Sequence, residues 1–228
     1  MNKRSLRGRW DLYDGVLSPF KAEIVRKYAG DSLLDVGCNT GQLVSYLASL
    51  GKRIVGLDVN PNLITAAKRE HPTLSFCLAS AENLPFKDNS FDTCVCWNVL
   101  EHVEDDKLAL KELWRVARKN VILCLPKKDN LLPFGQITYR QYVDPTHKHY
   151  YSKEHLYKLF KELPGKKRVK LEEITRISPL VAYANIGYPM FFLRLIDEFL
   201  YRFSPSKKRD SFYSDILVIA EKQEVKYD

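Results

Sequence analysis

The sequence contains no Cys-x-x-Cys pair, so nothing in it has the spacing of a zinc ribbon. Its five cysteines, Cys38, Cys77, Cys94, Cys96 and Cys124, are odd in number, irregularly spaced and set mostly in apolar runs. That argues against a disulfide framework and for buried reduced thiols in a cytoplasmic protein. No stretch reaches the roughly 18 apolar residues a membrane span needs. The opening residues, MNKRSLRGRWDLYDG, carry charge with no apolar run behind them, so no secretory signal is read there. No internal repeat is visible. What is present is core material: 45% of the 228 residues are hydrophobic and 12% aromatic, which excludes a disordered or low-complexity chain. The length suits one large domain, or one domain with a lid, at roughly 150 residues per domain. Lys plus Arg number 36 against 28 Asp plus Glu, a formal charge of +8. That permits an anionic partner and equally fits a solvated basic surface.

Residues 16–29 read as a helix, with Ser18 as N-cap and Pro19 in the first turn. SLLDVG (32–37) is a short apolar strand stopping at glycine. Residues 41–51 carry Leu43, Val44, Leu47 and Leu50 at helical spacing. RIVGLDV (53–59) is a second strand, and Pro61 opens a helix that ends before Pro72. Strands follow at 74–80, within 91–100 and at 120–126, with a helix at 105–118. Strands and helices thus alternate, which predicts a parallel sheet with helices on both faces. After Pro126 the rhythm breaks. A helix at 152–163 and strands at 167–177 and 211–222 are expected beyond it.

The turn after the first strand, Asp35-Val36-Gly37-Cys38-Asn39-Thr40-Gly41, carries the most information. A strand entering a helix through small residues can present backbone N–H groups and a helix N-terminus to a ligand. Asn39 stands where a second glycine would be expected, and asparagine tolerates the left-handed region. The dinucleotide fingerprint would place its last glycine at 42, which is Gln42; the glycine here is Gly41. Asp58 ends the second strand, 21 positions after Gly37. A carboxylate there can accept hydrogen bonds from a ribose diol.

Taken together, LDVGCNTG (34–41), VGLDV (55–59), SAENLPF (80–86) and FDTCVCWNVLEHV (91–103) resemble the class I S-adenosylmethionine-dependent methyltransferases, in particular their broad small-molecule group. The resemblance covers roughly residues 30–125 and keeps the family's motif order. It implies a Rossmann-like α/β fold: a seven-stranded, mostly parallel sheet with an antiparallel last strand. It also implies a single methyltransferase domain over 1–228, with 126–151 and 178–210 as a substrate-side cover. The implied cofactor is S-adenosyl-L-methionine. Asp35, Gly37 and Gly41 would line its methionine end, in one turn with Cys38 and Asn39. Asp58 would hold the ribose and Val59 would pack on the adenine. Ala81 would offer its backbone to the adenine edge, and Asn98 would lie near the amino-acid moiety. Ser80 replaces the acid that often bonds the adenine amino group, with Glu82 beside it as a candidate substitute.

Methyl transfer from a sulfonium is an in-line displacement, so alignment and water exclusion are the main requirements. His102, His147 and Asp144 are the candidate catalytic residues. His102 could face the substrate, or Glu101 and His102 could cap the next helix and hold the loop. YVDPTHKHYY (142–151) places Asp144, His147 and His149 together, with His147 as base or orienter, or as a loop fastener. Lys148 between the two histidines and the single carboxylate argue against a metal there, and none is assigned. Trp10, Asp11 and Tyr13 could form an aromatic lid. Phe192, Leu195, Ile196, Phe199, Leu200 and Phe203 mark an amphipathic helix within 188–203, flanked by Lys207, Lys208 and Arg209. It could pack on its own domain or a second subunit, cover an apolar substrate, or touch an anionic membrane surface.

The expected function is methyl transfer to a small-molecule acceptor, including a lipid- or glycan-linked one. An RNA or protein substrate is the alternative drawing on the basic charge. Against nucleic acid, the fourth strand ends in Trp97-Asn98-Val99-Leu100 rather than an N-P-P-Y signature, and no Pro-Cys pair is present. A non-catalytic protein retaining only the cofactor fold is a further alternative. A nicotinamide-dependent dehydrogenase is disfavoured by the glycine spacing.

Overall fold

The computed structural model describes residues 17–127, 146–176, 202 and 213–223. Its helices are α1 (Pro19–Tyr28), α2 (Gln42–Ser49), α3 (Pro61–Glu70), α4 (Asp106–Val116) and α5 (Lys153–Lys161). Its strands are β1 (Ser32–Val36), β2 (Arg53–Asp58), β3 (Ser75–Leu78), β4 (Phe91–Trp97), β5 (Ala117–Pro126), β6 (Lys167–Arg176) and β7 (Tyr213–Lys222). The seven strands form one sheet in the order β3-β2-β1-β4-β5-β7-β6. β1 pairs in parallel with β2 and with β4, β2 pairs in parallel with β3, and β7 lies antiparallel to β6. This is the expected mixed sheet with an antiparallel last strand.

The chain gathers into two compact units, one taking residues up to Cys96 with Glu112–Ile122, the other Trp97–Lys111 with Leu123 onward. In the first unit every residue of β1 is buried, and so are the first six of β4. That is the near-continuous apolar run of a strand covered on both sides. Leu43, Val44 and Leu47 bury one face of α2. Leu50, read as the fourth residue of that face, is 46% exposed: it is the helix C-cap, turned outward as the chain reverses through Gly51. Asn60 caps α3 by accepting the Asn62 N–H at 2.9 Å, with Pro61 at the first helical position. Ser18 occupies the N-cap position of α1 but makes no side-chain cap.

One boundary differs from the periodicity. The helix expected through Arg118 stops at Val116, and the chain becomes extended at once. Arg118 and Lys119 both turn to the Asp92 carboxylate, and Asn120 Nδ2 donates to the Tyr28 carbonyl at 2.8 Å. Long-range partners thus override local helix preference. Asp92 Oδ2 also accepts the N–H groups of Asp31 and Ser32 at 3.0 and 3.2 Å. Burial pushes this carboxyl up, but its hydrogen bonds from Arg118, Lys119 and the two amides hold it well below the usual carboxylate range.

In the second unit, Ser152 caps α5 through the His155 N–H at 3.1 Å. Leu156, Leu159 and Phe160 bury its inner face. Glu173 receives Lys153 at 2.8 Å and Lys127 at 3.1 Å. Lys127 also forms a parallel bridge with Tyr151.

A single aromatic wedge fixes the crossing of β2 and β3 under the turn after β1. A Cβ added at Gly56 would stand 2.7 Å from the Phe76 ring, and one at Gly41 also 2.7 Å. Both glycines therefore make room for Phe76, which is buried. Gly41 additionally has φ 87°, whereas Gly51 has φ 76° with nothing within 4 Å of an added Cβ. Gly51→Ala should cost about 1 kcal/mol from the left-handed backbone alone. Gly41→Ala should cost that plus about 1–3 kcal/mol of overpacking. Denaturant unfolding of the two variants checks the gap; equal destabilisation would remove the wedge.

Candidate functional site

The turn between β1 and α2 is closed on itself. Gly37 N–H and Cys38 N–H both donate to the Leu57 carbonyl, at 2.7 and 2.9 Å. Asn39 N–H donates to Asp58 Oδ2 at 3.0 Å, Thr40 N–H to Asn39 Oδ1 at 2.7 Å, and Gly41 N–H to the Cys38 carbonyl at 2.9 Å. All five amides of 37–41 are thus committed inside the protein. The expectation that this turn offers its N–H groups to a ligand is corrected: they hold the turn instead. Gly37, Asn39 and Gly41 all have positive φ, so Asn39 does take the left-handed conformation expected of a glycine substitute.

What the turn leaves over is the Asp35 carboxylate. It is 1% exposed, and neither oxygen has a hydrogen-bond partner. Burial pushes its pKa up; the Lys21 ammonium partly offsets this, and the Asp58 charge adds to it. An unpaired buried carboxylate is costly and marks a place for a positive group. Cys38 lies beside it, buried, and its thiol is pushed up first by burial and then by the Asp35 and Asp58 charges. It is an inert packing group rather than a nucleophile.

Asp58 closes the other side of the turn. Its second oxygen accepts the Asn60 N–H at 2.9 Å. Burial raises its pKa while donations from Asn60, Asn39 and Val59 lower it part of the way back. A carboxylate offers about four acceptor directions, so capacity remains for a hydroxyl. Val59, next in the chain, is 70% exposed, an uncovered apolar side chain at a strand end. Ser80 Oγ donates to Glu82 Oε2 at 3.1 Å and accepts the Glu82 N–H at 3.2 Å. Ser80 and Glu82 form one polar unit around the buried Ala81.

Asn98, in the second unit, has φ 55°, and its N–H donates to the Cys124 carbonyl at 3.0 Å. Its side-chain oxygen is buried without a partner. A left-handed residue with an orphaned acceptor is the kind of local strain found at ligand sites.

The second unit also brings His102 and His147 together, with ring centroids 4.7 Å apart. His102 Nδ1 meets the Thr146 carbonyl at 3.2 Å and its hydroxyl at 3.1 Å. His102 Nε2 is 4.0 Å from Glu101 Oε1. Lys148 N–H and His149 N–H both donate to the Glu101 carbonyl, at 2.7 and 3.3 Å. Tyr151, fully buried, donates to the Leu100 carbonyl at 3.1 Å. His149 Nε2 lies 3.1 Å from the Val103 carbonyl, and its ring is a fastener of the segment. Glu101 and His102 hold the loop through these bonds, while the cap at the start of α4 is Asp105 Oδ1, which takes the Leu108 N–H at 2.9 Å. Asp144, Trp10, Asp11, Tyr13, the basic clusters and the amphipathic segment 188–203 lie outside the described residues, except for Arg202.

Residues 34–125 match the family model described as a methyltransferase domain. The match spans about two fifths of the chain, which is similar to that family over those residues. The chain is 31% identical over 96 residues to a malonyl-[acyl-carrier protein] O-methyltransferase of Serratia marcescens, covering 42% of this chain and 38% of that one. It is 26% identical over 144 residues to a demethylmenaquinone methyltransferase of Streptomyces griseus, covering 59% and 62%. The chain thus spans less than two thirds of these relatives' lengths. A SAM dependent methyltransferase of Archaeoglobus fulgidus shares the fold, with TM-score 0.65, 19% identity and coverage of 97% of this chain and 100% of that one.

The residues of this segment fit S-adenosyl-L-methionine, the cofactor its motifs imply. The unpartnered Asp35 carboxylate suits an ammonium or sulfonium, Asp58 retains acceptor capacity for a ribose hydroxyl, and exposed Val59 suits a ring. Two residues that hold the loop at 84–86 were missed in the sequence. Arg115 donates to the carbonyls of Phe86 and Leu84 at 2.8 and 3.1 Å, and Glu112 accepts the Leu84 N–H at 2.9 Å. The two side chains also pair with each other at 2.7 Å. Their i,i+3 spacing on α4 was the available signal.

Asp35→Asn keeps the shape and removes the charge. Its folded pKa is raised, so ionisation subtracts stability as pH rises from the unfolded value, about 4, through the folded one. The variant should therefore gain about 1–2 kcal/mol at pH 7 and little at pH 3, while binding S-adenosylhomocysteine more weakly. Urea unfolding at the two pH values with calorimetry checks this; lower stability at pH 7 would contradict it.

Proposed function

We propose that this chain transfers a methyl group from S-adenosyl-L-methionine to a small-molecule acceptor, including a lipid- or carrier-linked one. The observation that carries this is the buried, unpartnered Asp35 carboxylate in a turn whose amides are all in use. Such a turn discriminates against phosphate-bearing nucleotides and favours a phosphate-free, positively charged cofactor. When bound, that cofactor supplies an electrophilic methyl group. Asp35 holds the positive end, Asp58 orients the ribose while locking the turn, Val59 covers the base, and Asn98 offers its orphaned oxygen to the amino-acid moiety. Glu101, His102 and His147 form the acceptor-side cluster and orient the nucleophile, with Asp144 assigned to the same role by its place in the motif.

The names of the two curated relatives support a small or carrier-linked acceptor over RNA. Five free thiols support a reducing, cytoplasmic setting. We take residues 1–228 as one methyltransferase domain, with 126–151 and 178–210 as its substrate-side cover.

Asp58→Ala should raise the dissociation constant for S-adenosylhomocysteine at least about fivefold, the loss of about 1 kcal/mol from a charge-assisted hydrogen bond. Unchanged affinity would sink the ribose assignment. His147→Ala should lower turnover in a methyl-transfer assay against lipid, glycan and small-metabolite pools, with cofactor affinity kept within about twofold. Normal turnover would return His147 to a fastening role.

A further inference from the structure

The acceptor-side cluster has a donor set that methyl transfer by itself does not require. One ligand-type atom from each of Glu101, His102 and His147 lies within 4.8 Å of the other two. We propose that Glu101, His102 and His147 bind a first-row divalent transition-metal ion. One carboxylate and two imidazoles are the set that zinc and its neighbours take when three protein ligands leave a position open.

His102 is placed to act as a ligand: its Nδ1 lies 3.2 Å from the Thr146 carbonyl and 3.1 Å from the Thr146 hydroxyl, and a proton on Nδ1 donated to either oxygen leaves the lone pair on Nε2. A histidine ligand is ordinarily held this way, donating its other N–H to a carbonyl. In that tautomer the lone pair of Nε2 faces Glu101 Oε1 across 4.0 Å. Glu101 is 1% exposed. An ion about 2.1 Å from each ligand atom spans up to about 4.2 Å, so the gap fits one ion. The widest pair needs to close by only about half an ångström.

The frame is already assembled. The Glu101 carbonyl accepts from Lys148 and His149, and Tyr151 and His149 bond to Leu100 and Val103. These bonds set His147 beside Glu101 and His102 without help from the ion. The spacing of His147, Lys148 and His149 argued against a metal because it offered only Asp144 as carboxylate. The carboxylate here is Glu101, from a distant segment, and His149 is engaged with the Val103 carbonyl. The competing account is an imidazolium at His102 paired with Glu101.

The test is metal binding by the full chain, independent of any methyltransferase activity. The chain is stripped with chelator and titrated with Co²⁺ alone, followed by its visible ligand-field bands, then competed with Zn²⁺. One Co²⁺ per chain, displaced by Zn²⁺, is expected. His147→Gln and His102→Gln should each weaken binding more than about tenfold, since even outer-sphere partners cost that much. His155→Gln, on the exposed side of α5, should leave it unchanged. If either ligand variant loses its fold by circular dichroism, Glu101→Gln, which keeps shape, decides by the same tenfold criterion. No Co²⁺ binding by the folded wild-type chain, or equal binding by the ligand variants, overturns the proposal in favour of the imidazolium pair.

Discussion

The Asp58 carboxylate ties together the turns that follow β1 and β2. It ends β2, reaches across to the Asn39 amide in the turn after β1, and takes the Asn60 amide that begins α3. Two connections of a parallel sheet are thereby tied to one side chain. Asn39 meets it with positive φ, and Gly37 and Gly41 share that conformation. Phe76 then packs beneath, in space that Gly41 and Gly56 leave open. Much of what is read as a cofactor motif is therefore also structural: it builds a turn whose hydrogen bonds are internally satisfied.

That self-sufficiency shapes the chemistry. A phosphate-binding turn keeps its amides open toward the ligand. Here the amides of 37–41 are engaged within the protein, and beside them stand two buried carboxylates and an exposed valine. Carboxylates attract positive charge and hydroxyls and repel phosphate. Burial raises the Asp35 pKa, so its ionisation opposes folding. Cys38 stays protonated and inert first because it is buried and then because the Asp35 and Asp58 charges act on it.

The alternation of apolar strands and amphipathic helices made the sheet legible, because strand and helix periods differ and the connections are short. The strained turn was legible too, since few residues besides glycine tolerate the left-handed region and Asn39 is one of them. Long-range pairing was not. α4 ends early because Arg118, Lys119 and Asn120 find partners at Asp92 and Tyr28, which no local pattern encodes. The role of Gly41 was assigned to the cofactor, although the Phe76 ring is what first requires a glycine there. Glu101 and His147 meet because two irregular segments hydrogen-bond to each other, and periodicity says nothing about irregular segments. Asp144 and the amphipathic segment at 188–203 fall outside the described residues.

Recognition by carboxylates instead of open amides is the central claim, and a side-by-side calorimetric titration of the full chain tests it most directly. S-adenosylhomocysteine, NAD⁺ and ATP would be injected at matched concentration near neutral pH. The account predicts saturable binding of S-adenosylhomocysteine and no saturable binding of either phosphate-bearing nucleotide. Binding of NAD⁺ or ATP as tight as that of S-adenosylhomocysteine would contradict it.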